Sequence, residues 1–329
     1  MAVSVAIRER TYRGGVERAP QTISRREALQ SAFLWGTAAW LCGCTVPKSD
    51  VKDVTADPAW LLPRISLAQW TFHRAIKSGA LHPMDFAPYA AEQIGVRGVE
   101  YVSTFYRVMP SDGAWAHQLR QRAQGAGVES LLIMVDMEQM LGAPSAQARR
   151  EAVDAHRRWL DVASVLGCHS IRVNALGEGD AAAQVESCAD GMSLLCEYAA
   201  KQGLSVLIEN HGGCSCDGAW VAEVVRTSGA KNLGTLPDFG NFKCTDGSER
   251  DRYAGVEAML PFARALSAKS HDFAADGSEL HTDYARMLQL AQSANYSGWI
   301  GIEYEGKVLG EVDGARRTRD LLLRLGCRI

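Results

Sequence analysis

Glu209, Asp238, His271 and Glu303 each close a short apolar run: Leu-Ser-Val-Leu-Ile-Glu209, Leu-Gly-Thr-Leu-Pro-Asp238, Ala-Leu-Ser-Ala-Lys-Ser-His271 and Trp-Ile-Gly-Ile-Glu303. If those runs are parallel strands that curl together, three carboxylates and one imidazole converge on one point. Packing carboxylates side by side without a cation is costly in desolvation and repulsion, so the set predicts one divalent metal ion. Oxygen donors with one imidazole suit Mn²⁺ first, with Mg²⁺, Co²⁺ or Zn²⁺ as alternatives. The absence of cysteine from the set argues against a structural zinc.

Such a site needs strands to present it, and the chain supplies eight candidates. Apolar runs fall at 65–71, 98–102, 130–135, 170–174, 204–209, 233–238, 264–271 and 299–303. Between them, stretches such as 84–94, 145–166, 181–202, 219–227 and 280–294 repeat apolar residues at three- and four-residue steps, the mark of amphipathic helices. Gly95, Gly127, Gly167, Gly203 and Gly229 stand where those helices should stop. Strand–helix alternation repeated eight times predicts a parallel sheet closed into a single (β/α)8 TIM barrel over 63–329. No Gly-x-Gly-x-x-Gly follows the first run, which removes the main support for a dinucleotide-binding sheet.

The first 44 residues read as an address. Ser24-Arg25-Arg26-Glu27-Ala28-Leu29 resembles a twin-arginine export motif, an apolar stretch follows at 32–41, and Leu41-Cys42-Gly43-Cys44 resembles a lipoprotein cleavage box. The reading predicts export, lipidation at Cys44, a linker over 45–62, and a periplasmic domain that meets the membrane only through its lipid anchor.

At 329 residues and 47% hydrophobic, the chain can bury a large core, and a net charge of −3 offers polyanions no general attraction. A small-molecule carbohydrate is therefore the expected partner rather than nucleic acid, and a homo-oligomer is compatible with the sequence. Of nine cysteines, Cys214, Cys216 and Cys244 fall just after the fifth and sixth strands. They read as apolar filler, a local disulfide or a soft-metal site.

The runs Ile65-Ser-Leu-Ala-Gln-Trp-Thr-Phe-His73, Gly98-Val-Glu-Tyr-Val102, Glu209-Asn-His-Gly-Gly213, Asp238-Phe-Gly-Asn241, Lys269-Ser-His-Asp272 and Gly301-Ile-Glu-Tyr-Glu-Gly306 resemble the sugar phosphate isomerase/epimerase superfamily with its xylose isomerase-like barrel. The resemblance spans about 63–325. It implies that Glu209, Asp238, His271 and Glu303 are metal ligands, and that Glu209 and Glu303 also move protons through an enediolate next to a carbonyl. Many members carry a His three residues after the sixth-strand Asp; this chain has Asn241.

His211 is a candidate to make up for that missing imidazole, and Lys269, Arg172 and Asn174 are further candidates to bind substrate oxygens. Trp70 and His73 are candidates for a pocket wall, and Glu100 for a supporting carboxylate. Abasic-site endonucleases of the superfamily need further His and Asp ligands, whereas the second and third strands here end in Tyr101-Val102 and Val135-Asp136, with no His, and the chain lacks net positive charge. Two other readings stay open: a lyase that eliminates the aglycone of a 3-keto glycoside on the same site, and a sugar-binding lipoprotein without catalysis.

Overall fold

The computed structural model describes residues 62–110 and 113–329. The twin-arginine motif, Cys44 and nearly all of the linker lie outside these residues. Eight parallel strands form the barrel: β1 (Arg64–Ala68), β2 (Gly98–Val102), β3 (Glu129–Met134), β4 (Ser170–Asn174), β5 (Ser205–Glu209), β6 (Leu233–Leu236), β7 (Leu266–Ser270) and β8 (Trp299–Tyr304). Their order is β6-β5-β4-β3-β2-β1-β8-β7. The seam between β6 and β7 is joined by parallel bridges at Thr235–Ala263 and Asp238–Ser267. Pro237 has no N–H to give, so β6 stops at Leu236 and the seam runs through single bonds such as Ser267 N–H to Pro237 O at 2.9 Å.

Alternation along each strand divides the side chains between two environments. Ile171 and Val173, Val206 and Ile208, Leu266 and Ala268, and Ile300 and Ile302 pack outward in the core shared with the helices. Ala68, Val102, Leu132, Met134, Leu207, Leu236 and Ala265 form a separate cluster, which the same parity places inside the barrel. Toward the carboxyl end the inward positions carry Arg172, Glu209, Lys269 and Glu303, and deeper in the barrel Ser66, Glu100 and Ser170, all buried.

The helices largely follow the periodicity. Ala146–Leu166 is capped by Ser145 and Gly218–Ser228 by Asp217, each accepting from an early helical N–H. Both end on a glycine in the left-handed region, Gly167 (φ 80°) and Gly229 (φ 64°), as expected. The stretch expected as one helix over 84–94 is three short turns, with a 3-10 turn at Pro83–Asp85, an α turn at Phe86–Tyr89 and a π turn at Ala90–Ile94. Among the described residues no helix is long and apolar enough to cross a membrane.

Candidate active site

Glu209 ends β5, Asp238 lies two residues past β6, and Glu303 is the fifth residue of β8. Their carboxylates come together at the carboxyl end of the barrel, with one oxygen of each within 4.8 Å of the others, and all three are buried. Three of the four residues expected to meet therefore do so. The barrel supplies the reason: each follows an inward-facing residue by two positions, and inward parity at the strand end leads to the axis.

His271 does not join them. The register sets Asp238 level with Ser267 and Glu303 level with Lys269, so β7 presents Ser267 and Lys269 to the cluster. His271 lies beyond the strand end, its side chain 38% exposed and its Nε2 no nearer than 4.0 Å to Glu305. Its ring meets His281 edge-on at 5.8 Å instead. By count along the chain His271 shares the parity of Ser267 and Lys269 and stands one residue past the end of β7.

Ser267 takes the place expected for the imidazole. Its hydroxyl lies 2.6 Å from Asp238 Oδ2 and 3.2 Å from Glu303 Oε2. The ammonium of Lys269 sits 3.1 Å from Glu303 Oε1, 3.3 Å from Glu305 Oε1 and 3.9 Å from Asp238 Oδ2. Burial works against that ammonium, but the surrounding carboxylates outweigh it and hold Lys269 well above the usual lysine range. Burial raises Asp238, with Lys269 opposing. Two backbone N–H groups, of Gly240 and Asn241, also donate to its Oδ1.

Glu209 is held from the other side. Arg172, inward on β4, brings its Nε to 2.8 Å from Glu209 Oε2, an ion pair without an aligned hydrogen bond, and donates to Asp136 Oδ1 at 2.6 Å. Burial raises the Glu209 carboxyl well above its ordinary value against the pull of Arg172. Asn241 Nδ2 donates to Glu209 Oε1 at 3.1 Å, so this residue orients a candidate ligand. Asn174 donates to Asp136 at 2.9 Å. Asp136 and Glu305, half-buried carboxylates beside cations, are held low by Arg172 and Lys269 respectively, although burial alone would raise them.

A cavity of about 770 Å³ opens onto this cluster, lined at its inner end by Arg172, Asn174, His211, Glu303 and Glu305. Burial and the nearby Arg172 and Lys269 depress the imidazole of His211. Trp70 lines the cavity, while His73 stacks on it at 4.8 Å and donates from Nδ1–H to Trp70 O at 2.8 Å. Glu209, Asp238, Asn241, Lys269 and His73 are not in the lining, so among the three acids only Glu303 faces the space directly.

The donor set fits a hard divalent cation. Three carboxylates and the Ser267 hydroxyl are all oxygen, and the three carboxylates share two cations, Arg172 on Glu209 and Lys269 on Asp238 and Glu303. Sequence reasoning missed Ser267, and missed Asn210, whose amide pairs with Asp238 through N–H to Oδ1 at 2.7 Å and Nδ2–H to O at 3.0 Å. Cys216 and Cys244 form a disulfide, which removes the soft-metal reading, and Cys214 is a free thiol.

Residues 88–325 match the family described as the xylose isomerase-like TIM barrel. No curated protein sequence matches the chain significantly. Among solved structures, D-psicose 3-epimerase in the presence of D-fructose superposes with a TM-score of 0.62 at 14% identity, covering 80% of this chain and 99% of the other. The 3-keto-D-glucoside 4-epimerase YcjR from E. coli gives 0.62 at 13%, with 80% and 99% covered. A xylose isomerase-like TIM barrel protein from Mycobacterium smegmatis in complex with magnesium gives 0.58 at 13%, with 80% and 96% covered. At these identities the likeness is one of fold.

Proposed function

The chain belongs to the xylose isomerase-like TIM barrel family, and from that premise we propose that it is a metal-dependent isomerase or epimerase of a carbohydrate. The observation that carries the reading is the buried triad of Glu209, Asp238 and Glu303 with Glu303 facing a cavity. Carboxylates grouped so closely serve stability poorly, since paired apolar residues would fill the same volume without the desolvation cost. The sugar epimerases among its structural neighbours support the class of reaction.

In this reading Glu209, Asp238 and Glu303 hold the cation. A bound dication supplies a Lewis acid that stabilises negative charge developing on a substrate oxygen. All-oxygen donors favour Mg²⁺ or Mn²⁺ over Co²⁺ or Zn²⁺. Glu303 takes the proton next to the substrate carbonyl, its carboxylate held in place by the Lys269 ammonium and the Ser267 hydroxyl. Glu209, held by Arg172 and Asn241, is the second carboxylate of the site and would return the proton once metal and substrate occupy it. Arg172, Asn174 and His211 offer the substrate its polar contacts from the cavity wall.

Exchange of substrate hydrogen in deuterated water tests this directly. Incubation with a panel of ketoses and Mg²⁺ or Mn²⁺ is expected to label the carbon next to the carbonyl, with Glu303→Gln abolishing the label. Absence of exchange across the panel, metal present, would overturn the reading.

The export signal and the lipid at Cys44 complete the proposal. The Cys216–Cys244 disulfide supports them, because such a bond persists in oxidising compartments. Fractionation of cells expressing the full chain, against a variant with Arg25 and Arg26 changed to Lys, tests the placement.

A further inference from the structure

The cavity has two chemically different ends. Its inner end carries Arg172, His211, Glu303 and Glu305, and its outer end carries Met137, Met140 and Leu176. These three are 79%, 36% and 38% exposed, unusual for large apolar side chains gathered at one mouth. Trp70, fixed by stacking on His73 and on Phe105 at 5.9 Å, also lines the cavity.

The exposure of Met137 is built rather than loose. Its backbone sits at φ 63°, a conformation that costs a non-glycine residue roughly 1 kcal/mol or more. Arg107 Nη1 holds it there by donating to Met137 O at 2.8 Å and Asp136 O at 3.3 Å. The neighbouring Glu138 is tied to Trp159 Nε1 at 3.0 Å and to Arg107 at 3.4 Å. The loop therefore spends backbone energy to present a thioether to water beside the site.

About 770 Å³ lies within the roughly 300–1,000 Å³ typical of pockets for drug-sized ligands, larger than one six-carbon sugar requires. At the outer end two thioethers and an isobutyl group stand beside the polar Gln139 and Lys77. Sulfur and indole favour contact with an aromatic ring. We propose that the outer end is a subsite for an aromatic aglycone, so that the substrate is an aryl glycoside whose sugar ring carries a ketone, the carbonyl the reaction needs, and lies against Glu303 and Arg172. This rests on the sugar isomerase/epimerase reading and narrows its substrate class.

Calorimetry on the full chain with Mg²⁺ or Mn²⁺, using the phenyl and methyl glycosides of D-glucose and D-galactose, tests it. The phenyl compound is expected to bind at least tenfold tighter than the methyl compound of the same sugar. In the Met137→Ser/Leu176→Ser variant that ratio should fall toward one. A ratio near one in the unaltered protein, or binding of none of the four, overturns the aglycone subsite. The deuterium exchange into free ketoses separates the two claims: exchange that persists leaves the sugar reading standing while the subsite falls, and loss of both removes both.

Discussion

The hydroxyl of Ser267 lies 2.6 Å from Asp238 Oδ2, at the level on β7 where an imidazole was expected to complete a metal site. His271, four residues on, is outside the cluster. His271→Ala is therefore expected to leave Mn²⁺ affinity within about twofold, whereas Asp238→Asn should weaken it by roughly tenfold or more, the order seen when metal sites lose a key group. Titration of Mn²⁺ followed by electron paramagnetic resonance reads both, and a large loss in His271→Ala would return that residue to the site.

Lys269 is the cation that the folded barrel itself supplies to Asp238, Glu303 and Glu305. Replacing it by Met leaves buried carboxylates with one partner fewer, a change that costs about 3–5 kcal/mol when a buried ion pair is broken. A divalent ion should restore part of that loss, because binding to the folded state alone raises stability with ligand concentration. Thermal unfolding of Lys269→Met with and without Mg²⁺ should thus show a larger metal-induced rise in Tm than the unaltered protein. Equal rises would mean that lysine and metal do not share the same carboxylates.

The barrel was legible because its two periods are strong: apolar steps of three and four mark helices such as Ala146–Leu166, and eight short apolar runs mark the strands. Parity along a strand was legible too, which is why Glu209, Asp238 and Glu303 were found. Level was not. Level depends on hydrogen-bond register between β6 and β7, and Pro237 makes that seam irregular. The π turn at Ala90–Ile94 escaped for a related reason, since it keeps an amphipathic pattern while changing the pitch.

Cys216 and Cys244 join the segments that follow β5 and β6, and so tie the loops next to Glu209 and Asp238. With a sequence separation of 28 between the two cysteines, chain entropy alone assigns the bond about 3–4 kcal/mol. Reductant should lower the Tm of the unaltered protein and leave a Cys216→Ala/Cys244→Ala variant, already less stable, unmoved. A Tm insensitive to reductant in the unaltered protein would show that the two thiols are not bonded in solution.

Glu100 lies inside the barrel below the site, accepting from Ser66 Oγ at 2.6 Å, and burial raises its carboxyl to about 7 against that hydrogen bond. Below its ordinary value of 4.5 the carboxyl is protonated whether the chain is folded or not, so it has no effect on stability there. Between 4.5 and about 7 the unfolded chain ionises while the folded one stays neutral, and stability falls as pH rises. Above that window the deficit is constant, roughly 3 kcal/mol. Glu100→Gln removes the titration and keeps an acceptor for Ser66, so its stability relative to the unaltered protein should climb between pH 4 and pH 8 and then level off. The same carboxyl explains Gly301, where an added Cβ would fall 2.5 Å from Glu100 Oε1. Gly301→Ala should destabilise the barrel, and Glu100→Ala in the same chain should recover much of the loss, because the two share one space. Urea unfolding measures both effects. A flat pH difference for Glu100→Gln would show that Glu100 ionises freely in the folded barrel, and independent, additive losses in the double variant would show that Gly301 is small for another reason.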